Sequence, residues 1–539
     1  MTVMYDLLIR GAHIHDGSGA APFVGDVGIK AGRIACVGSV RGASASTRID
    51  GDGLALAPGF IDLHSHADLT LPAFPEAPNS IQQGVTTEVG GNCGFSAAPV
   101  VTEHASDLES LVAGLGPNLA WTWVTFGEYL DALDRSRPIV NVVPLVGHGT
   151  LRVAAMGFDA RRPTAKELDV MRGLLRQSLV EGAWGLSSGL DYPPGVFSEP
   201  DEFVGLGEVL AAAEAGYHTH LRSGVATLEE ALAEMLAVGT AGVRLHVSHI
   251  NSSAAVWHGV PLALDILDRA RSRGLTVNAD AYPYTAGATY LSQLLPSWAC
   301  AGGTEALLSR LASPEERARI KAAMQDGRSA PISGVSFDDV LLTSLQSERY
   351  RPWEGKPLAE AARASREDPY EFLFNLLLAE RGNPTMIVFM MSEEDVRQAL
   401  TWSGTAIGSD QVGVVSDTAH VHPRAYGTFV RVLGHYVREA SLFSLPEAVR
   451  RMTGLPADIL GLRDRGYIRE GLAADLVVFD PNRVTDRSTY AQPTLRPGGI
   501  EWVVVSGAVA VKNGRVTGVR AGQTLRARSG GHHRVPGAQ

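Results

Sequence analysis

Eight short β-rich runs recur along the middle of this chain, most of them separated by stretches whose apolar residues fall at helical spacing. They are "PGFIDLH", "GVTTEVG", "IVNVVPLVGH", "AWGLSSG", "YHTHLR", "VRLHVSH", "LTVNADAYPY" and "TAIGSD". Strand and helix alternating eight times is what a closed (β/α)8 barrel needs. Intervening segments such as "PTAKELDVMRGLLRQSLVEG" and "ATLEEALAEMLAVG" carry that helical spacing. Further on, Ser444 and Glu447 form a capping-box pattern, with Gly454 at the far end of the helix. Because a barrel holds more residues than most domains, a length of 539 does not require three of them.

The two ends of the chain read differently. Residues 4–58 alternate short apolar runs with Gly and Asp turns, and the texture returns in "GLAADLVVFDP" and "GIEWVVVSGAVAVKNGRVTGVRAG". The expected class is therefore α/β: a TIM-like (β/α)8 barrel over 59–465, with a small β-sandwich domain formed by both chain termini, 1–58 and 466–525. The gap between the seventh and eighth runs is far longer than the others. Its first part, about 291–345, is expected to be an insertion after barrel strand 7, on the active face, where it can act as a lid. The polar tail 526–539 is expected to be flexible, with His532 and His533 as surface residues.

Composition narrows the partners. A net charge of −11 with no basic cluster argues against nucleic acid. The first residues hold no long apolar segment behind a basic start, so neither a signal peptide nor a membrane span is expected, and the default location is cytoplasmic. A small-molecule substrate remains as the expected partner, and the oligomeric state is left open. The three cysteines, Cys36, Cys93 and Cys300, make no disulfide framework.

Polar residues close these strands. His64 and His66 end the first, Cys93 follows the second, His220 closes the fifth, His249 the sixth and Asp410 the eighth. A barrel brings all such ends to one rim, where imidazole, thiolate and carboxylate can converge on a zinc ion. His218 and His246 lie one pleat short of that rim and are read as packing residues or as partners of the ligands.

The stretch "GFIDLHSH", with His220, His249 and Asp410, resembles the amidohydrolase superfamily of metal-dependent hydrolases. Within it, "GGNCGFS", "GLSSGLDYPPG", "THLRSG", "SHINSS", "DAYPYTAG", "GSD" and "HPRAYGTFVRVLGHYVRE" are similar to the D-aminoacylase, or N-acyl-D-amino-acid deacylase, family. The resemblance implies one tight zinc site of Cys93, His220 and His249, and a second, weaker site framed by His64, His66 and Asp410. It further implies hydrolysis of a linear amide, with Asp410 taking a proton from water and passing it to the departing amine. A substrate α-carboxylate calls for a guanidinium fork, which Arg424 is placed to supply. Tyr192 and Tyr282 resemble the family's substrate-contacting tyrosines or else pack a loop, and His422 either orients Arg424 or lines the pocket.

Two positions depart from the family pattern. Asn251 stands where a lysine that binds anionic substrate is usual, and Ala288 where a serine is frequent. Both changes point to N-acyl-D-amino acids with neutral or hydrophobic side chains. A dipeptidase or other amide hydrolase on the same scaffold is the alternative. Cyclic-amide hydrolysis, as of hydantoins or dihydropyrimidines, and a non-catalytic scaffold stand further off.

Overall fold

The computed structural model describes residues 4–527, apart from 41, 118, 120, 224–225, 256–258, 328–329, 383 and 414–419. His532, His533 and most of the expected tail lie outside the described residues. Each of the eight quoted runs contains a strand parallel to its neighbours: Phe60–Asp62, Val85–Gly90, Asn141–Pro144 continued by Val146–Gly147, Gly185–Gly189, Gly216–His220, Arg244–Val247, Val277–Ala281 and Thr405–Ile407. The first three pair in one parallel sheet, and the rest pair in a second that begins at Val146–Gly147. Leu145 N donates to Gly90 O and Trp184 N to Pro144 O, both at 2.9 Å, where the two sheets meet. At the other edges Asp410 N donates to His64 O at 2.7 Å, and Ser65 bridges Gln411. The architecture is mixed α/β of the TIM-barrel type, and the strands' near-complete burial explains their continuous apolar runs.

Helix starts are fixed by side chains. Thr125 with Glu128, Thr164 with Glu167, Thr227 with Glu230 and Ser392 with Asp395 each make a reciprocal capping box. Ser444 accepts from Glu447 N as expected, but Gly454 does not end that helix. The helix stops at Met452 and Gly454 opens the next one, at a position where a Cβ would lie 2.3 Å from Gly17 O.

Both termini build one β unit, joined where Ala55–Pro58 runs antiparallel to Leu476–Phe479. Nine strands of this unit are hydrogen-bonded into one continuous sheet. The alternation of strand side chains accounts for this. Leu56, Leu476, Val478 and Val504 face a core of the unit's own, whereas Ala57, Val477, Phe479 and Val503 join the main core, so one sheet covers both.

The insertion is larger than its sequence suggested. Strands Ala286–Tyr290, Val340–Thr343 and Thr385–Phe389 form an antiparallel sheet, so the unit runs past 345. It has its own apolar cluster around Leu291, Leu342, Phe372 and Val388. No described helix is long and apolar enough to cross a membrane.

Candidate metal centre and substrate pocket

The strand ends do bring their polar residues together. Ligand atoms of His64, Cys93, His249 and Asp410 all lie within 4.8 Å of one another, and all four residues are buried. Cys93 Sγ stands 3.3 Å from His64 Nε2, 3.5 Å from His249 Nε2 and 4.0 Å from His220 Nδ1. His220 Nδ1 and His249 Nε2 are 3.1 Å apart. On the other side, Asp410 Oδ1 lies 3.4 Å from His66 Nε2 and 3.6 Å from His64 Nε2. The two expected ligand groups thus share one space, with His64 reaching toward both.

These separations suit a metal. Bond lengths of about 2.3 Å to sulfur and about 2.0–2.1 Å to nitrogen, at tetrahedral angles, give S···N edges of about 3.6 Å and N···N edges of about 3.3 Å. The Cys93, His220 and His249 donors match that triangle within a few tenths of an ångström. Backbone strain falls at the same residues: Cys93, His249 and Asp410 have φ of 51°, 34° and 51°. Left-handed non-glycine conformations cost about 1–3 kcal/mol each and gather at functional sites.

Residues behind the ligands fix which nitrogen faces inward. His64 Nδ1 donates to Asp280 Oδ2 at 3.2 Å, leaving Nε2 toward the cluster. His220 does the reverse, with Nε2 on Asp191 at 3.1 Å and Nδ1 inward. Ser252 Oγ sits 3.1 Å from His249 Nδ1. Asp280 also takes His246 Nε2 at 2.7 Å, so His246 is a partner of the ligand sphere, while His218 packs against the His246 ring at 4.7 Å. Carboxylates in this position orient metal-binding imidazoles. Asp191 and Asp280 stand in stretches quoted for their tyrosines, and their signal was a carboxylate next to a strand end.

The electrostatics agree. Burial pushes the Cys93 thiol up, but the His64 charge and hydrogen bonds from His220, His249 and His64 outweigh it and hold the thiol well below its ordinary range. Burial likewise opposes charge on His66 and His220, yet Asp410, Asp191 and Cys93 raise them to about 9 and about 10. Asp410 would be raised by burial; the Arg424 guanidinium first, then His66, keep it well below the carboxylate range.

A cavity opens onto this cluster. Arg424 lines it, with Nη1 2.9 Å from Asp410 Oδ2, Nη2 donating to Ala288 O at 3.4 Å and the guanidinium 4.8 Å above the Tyr282 ring. Tyr192 lines it too, its hydroxyl 2.9 Å from Thr289 Oγ1. His422 is not a lining residue. Its Nε2 donates to Ala286 O and its Nδ1 accepts from Arg424 N, both at 3.0 Å, so it orients Arg424. Asn251 departs from expectation as well: it is fully buried, its amide donating to Tyr282 O and reaching Met391 Sδ, and it is absent from the cavity wall. The start of helix Ile250–Ala255 turns that side chain into the core.

The chain matches the amidohydrolase family over residues 47–511. It is 38% identical over 505 residues to an N-acyl-D-glutamate deacylase of Alcaligenes xylosoxydans xylosoxydans, covering 93% of each chain. To a D-aminoacylase of the same organism it is 36% identical over 523 residues, covering 97% of each. Among solved structures, an N-acyl-D-glutamate deacylase from Bordetella bronchiseptica, complexed with zinc and a phosphonate inhibitor that mimics the reaction's tetrahedral intermediate, superposes with a TM-score of 0.80. That pair is 34% identical, covering 97% of this chain and 100% of the other. With whole-length identity of this order and a histidine–cysteine–aspartate cluster at the strand ends, the chain belongs to the amidohydrolase family, in its D-aminoacylase and N-acyl-D-amino-acid deacylase branch.

Proposed function

We propose that this protein hydrolyses N-acyl-D-amino acids with neutral or apolar side chains, in a zinc-dependent reaction that yields a carboxylate and a free D-amino acid. The observation that carries the reading is the buried convergence of His64, Cys93, His249 and Asp410 beside a cavity with a guanidinium in its wall. We read the eight parallel strands as one closed (β/α)8 barrel with the terminal β unit as a small domain beside it; the hydrogen bonds between sheet edges support this.

Cys93, His220 and His249 would hold the tight zinc ion, with His64, His66 and Asp410 framing a weaker site. The chemistry a zinc ion supplies when bound is polarisation of the scissile carbonyl and acidification of water. Asp410 does the proton work. Its Oδ1 faces the ligand cluster and takes a proton from water as the oxygen adds to the carbonyl carbon; the C–N bond then breaks and the same proton goes to the amine nitrogen. Arg424 anchors Oδ2 and offers its remaining N–H groups to the substrate carboxylate, while His422 and the Tyr282 ring hold it in place.

Side-chain preference follows from charge. Arg424 is the only Lys or Arg among the described residues lining the cavity, and Val388, Met390 and Ile332 line it as well. With Arg424 already divided between Asp410 and the substrate α-carboxylate, an acidic side chain would find no second guanidinium or ammonium among the described lining residues. The test is release of free amine from matched N-acetyl-D- and N-acetyl-L-leucine, methionine and glutamate by zinc-loaded protein. Hydrolysis confined to D-leucine and D-methionine is expected. No hydrolysis of any of them, by protein shown to contain zinc, overturns the proposal.

A further inference from the structure

Beside the reaction cavity lies a second one. The two share Phe95, Tyr192, Tyr290 and Gln293, and the three rings stand 5.2–6.2 Å apart as a septum between them. Beyond the septum the wall includes Leu111, Phe158, Cys300 and Leu307 beside the uncharged polar Ser110, Ser292 and Thr304, with no charged side chain among the described residues. Burial pushes the Cys300 thiol up to about 12, so it stays neutral as well. A chamber of this lining suits hydrocarbon.

Its position decides which part of a substrate it faces. Tyr192 packs against His220 at 5.1 Å and Phe95 against His66 at 6.1 Å, so the septum stands beside the ligand cluster. Arg424, Tyr282, Val388 and Met390 line the reaction cavity and do not line the second one. With its carboxylate at Arg424 and its carbonyl at the ligand cluster, a substrate turns its acyl carbon toward the three rings and its side chain toward Val388 and Met390.

We propose that the second cavity receives the acyl chain, and that the enzyme acts on N-acyl-D-amino acids whose unbranched acyl groups extend well beyond acetyl. The inference rests on the amide-hydrolase reading above. The chain enters by displacing the rings of Tyr192 and Tyr290, which are tethered by single hydrogen bonds, to Thr289 at 2.9 Å and to Leu111 O at 3.4 Å. The far end is crossed by a 2.8 Å hydrogen bond between Ser110 and Thr304, beyond which an open basin is walled in part by Asp107, Glu109 and Glu305. That polar basin limits how long a chain can be seated.

The test is kcat/KM for N-acetyl-, N-butanoyl-, N-hexanoyl- and N-octanoyl-D-leucine with the zinc-loaded protein. Each methylene taken out of water can raise kcat/KM by about fourfold, so a rise of at least about tenfold from acetyl to octanoyl is expected. Ser110→Phe, which fills the far end, should leave N-acetyl-D-leucine hydrolysis unchanged and abolish most of that rise. Hydrolysis of the whole series with no dependence on length overturns the chamber assignment alone; no hydrolysis of any member overturns the amide reading. Calorimetric binding of octanoate and acetate needs neither turnover nor the variant. Octanoate binding at least about tenfold tighter supports the chamber, and equal binding overturns it.

Discussion

Replacing Asp280 with Asn tests whether the buried carboxylate sets the metal affinity. Asp280 is fully buried and takes three donors: His64 Nδ1 at 3.2 Å, His246 Nε2 at 2.7 Å and the backbone N of His249 at 2.8 Å. Burial would raise its pKa, but the His64 and His246 rings keep it far below the carboxylate range, so it is charged wherever the protein is folded. The amide of Asn preserves the volume and loses the charge that fixes the His64 tautomer. Loss of such an orienting carboxylate lowers metal affinity about 10- to 100-fold, or about 1.4–2.8 kcal/mol. Two imidazoles left without their hydrogen-bond acceptor anion should also lower folding stability. Zinc dissociation constants come from competition with a chelator, and D-leucine release is measured at limiting and at excess zinc. Weakened zinc binding with activity returning at excess zinc is expected. His246→Asn spares the His64–Asp280 bond and should weaken zinc binding less. An unchanged zinc affinity in Asp280→Asn would refute the reasoning.

Three further outcomes are expected. Asp410→Asn should lower kcat by about 10²–10⁴-fold and retain one zinc per chain by elemental analysis, because Cys93, His220 and His249 remain; loss of the zinc itself would count against that division of roles. His422→Ala frees the backbone of Arg424 and should raise KM for N-acetyl-D-leucine by more than it lowers kcat, read from steady-state kinetics. His15 is buried, and burial with His13 lowers its pKa to about 4. Above pH 6.5 it is neutral folded or unfolded; below, the unfolded chain takes the proton first, so stability falls from pH 6.5 to about 4 by up to about 3 kcal/mol. His15→Leu should flatten that limb in urea unfolding at pH 7 and pH 4.5, and an unaltered limb would exclude His15 as its source.

What could be read in the sequence and what could not divide along physical lines. Parallel strands buried on both faces leave continuous apolar runs, and a polar residue closing such a run has a reason to be there, so His64, His66, Cys93, His220, His249 and Asp410 stood out. The extent of the insertion was hidden because Ala286–Tyr290 pairs with Thr385–Phe389 across a long stretch of chain that no local pattern marks. Asn251 misled because a position after a strand end reads as facing the rim, whereas its helix turns it into the core. The Arg424–Asp410 ion pair, like the placing of Asp191 behind His220, depends on how loops fold over the rim, and side-chain periodicity carries no trace of that.

Backbone strain was the least legible feature and links these findings. Neither cysteine nor histidine announces a left-handed conformation as glycine does, yet Cys93, His249 and Asp410 all adopt one. Such conformations persist only where the surroundings over-determine them. Asp410 N is held by His64 O at 2.7 Å, and His249 N by Asp280 Oδ1 at 2.8 Å. Asp280 therefore serves two ligands at once, orienting the ring of His64 and holding the strained backbone of His249. A single carboxylate in the seventh strand couples the groups expected to form the tight and the weak site, so its loss should disturb both together.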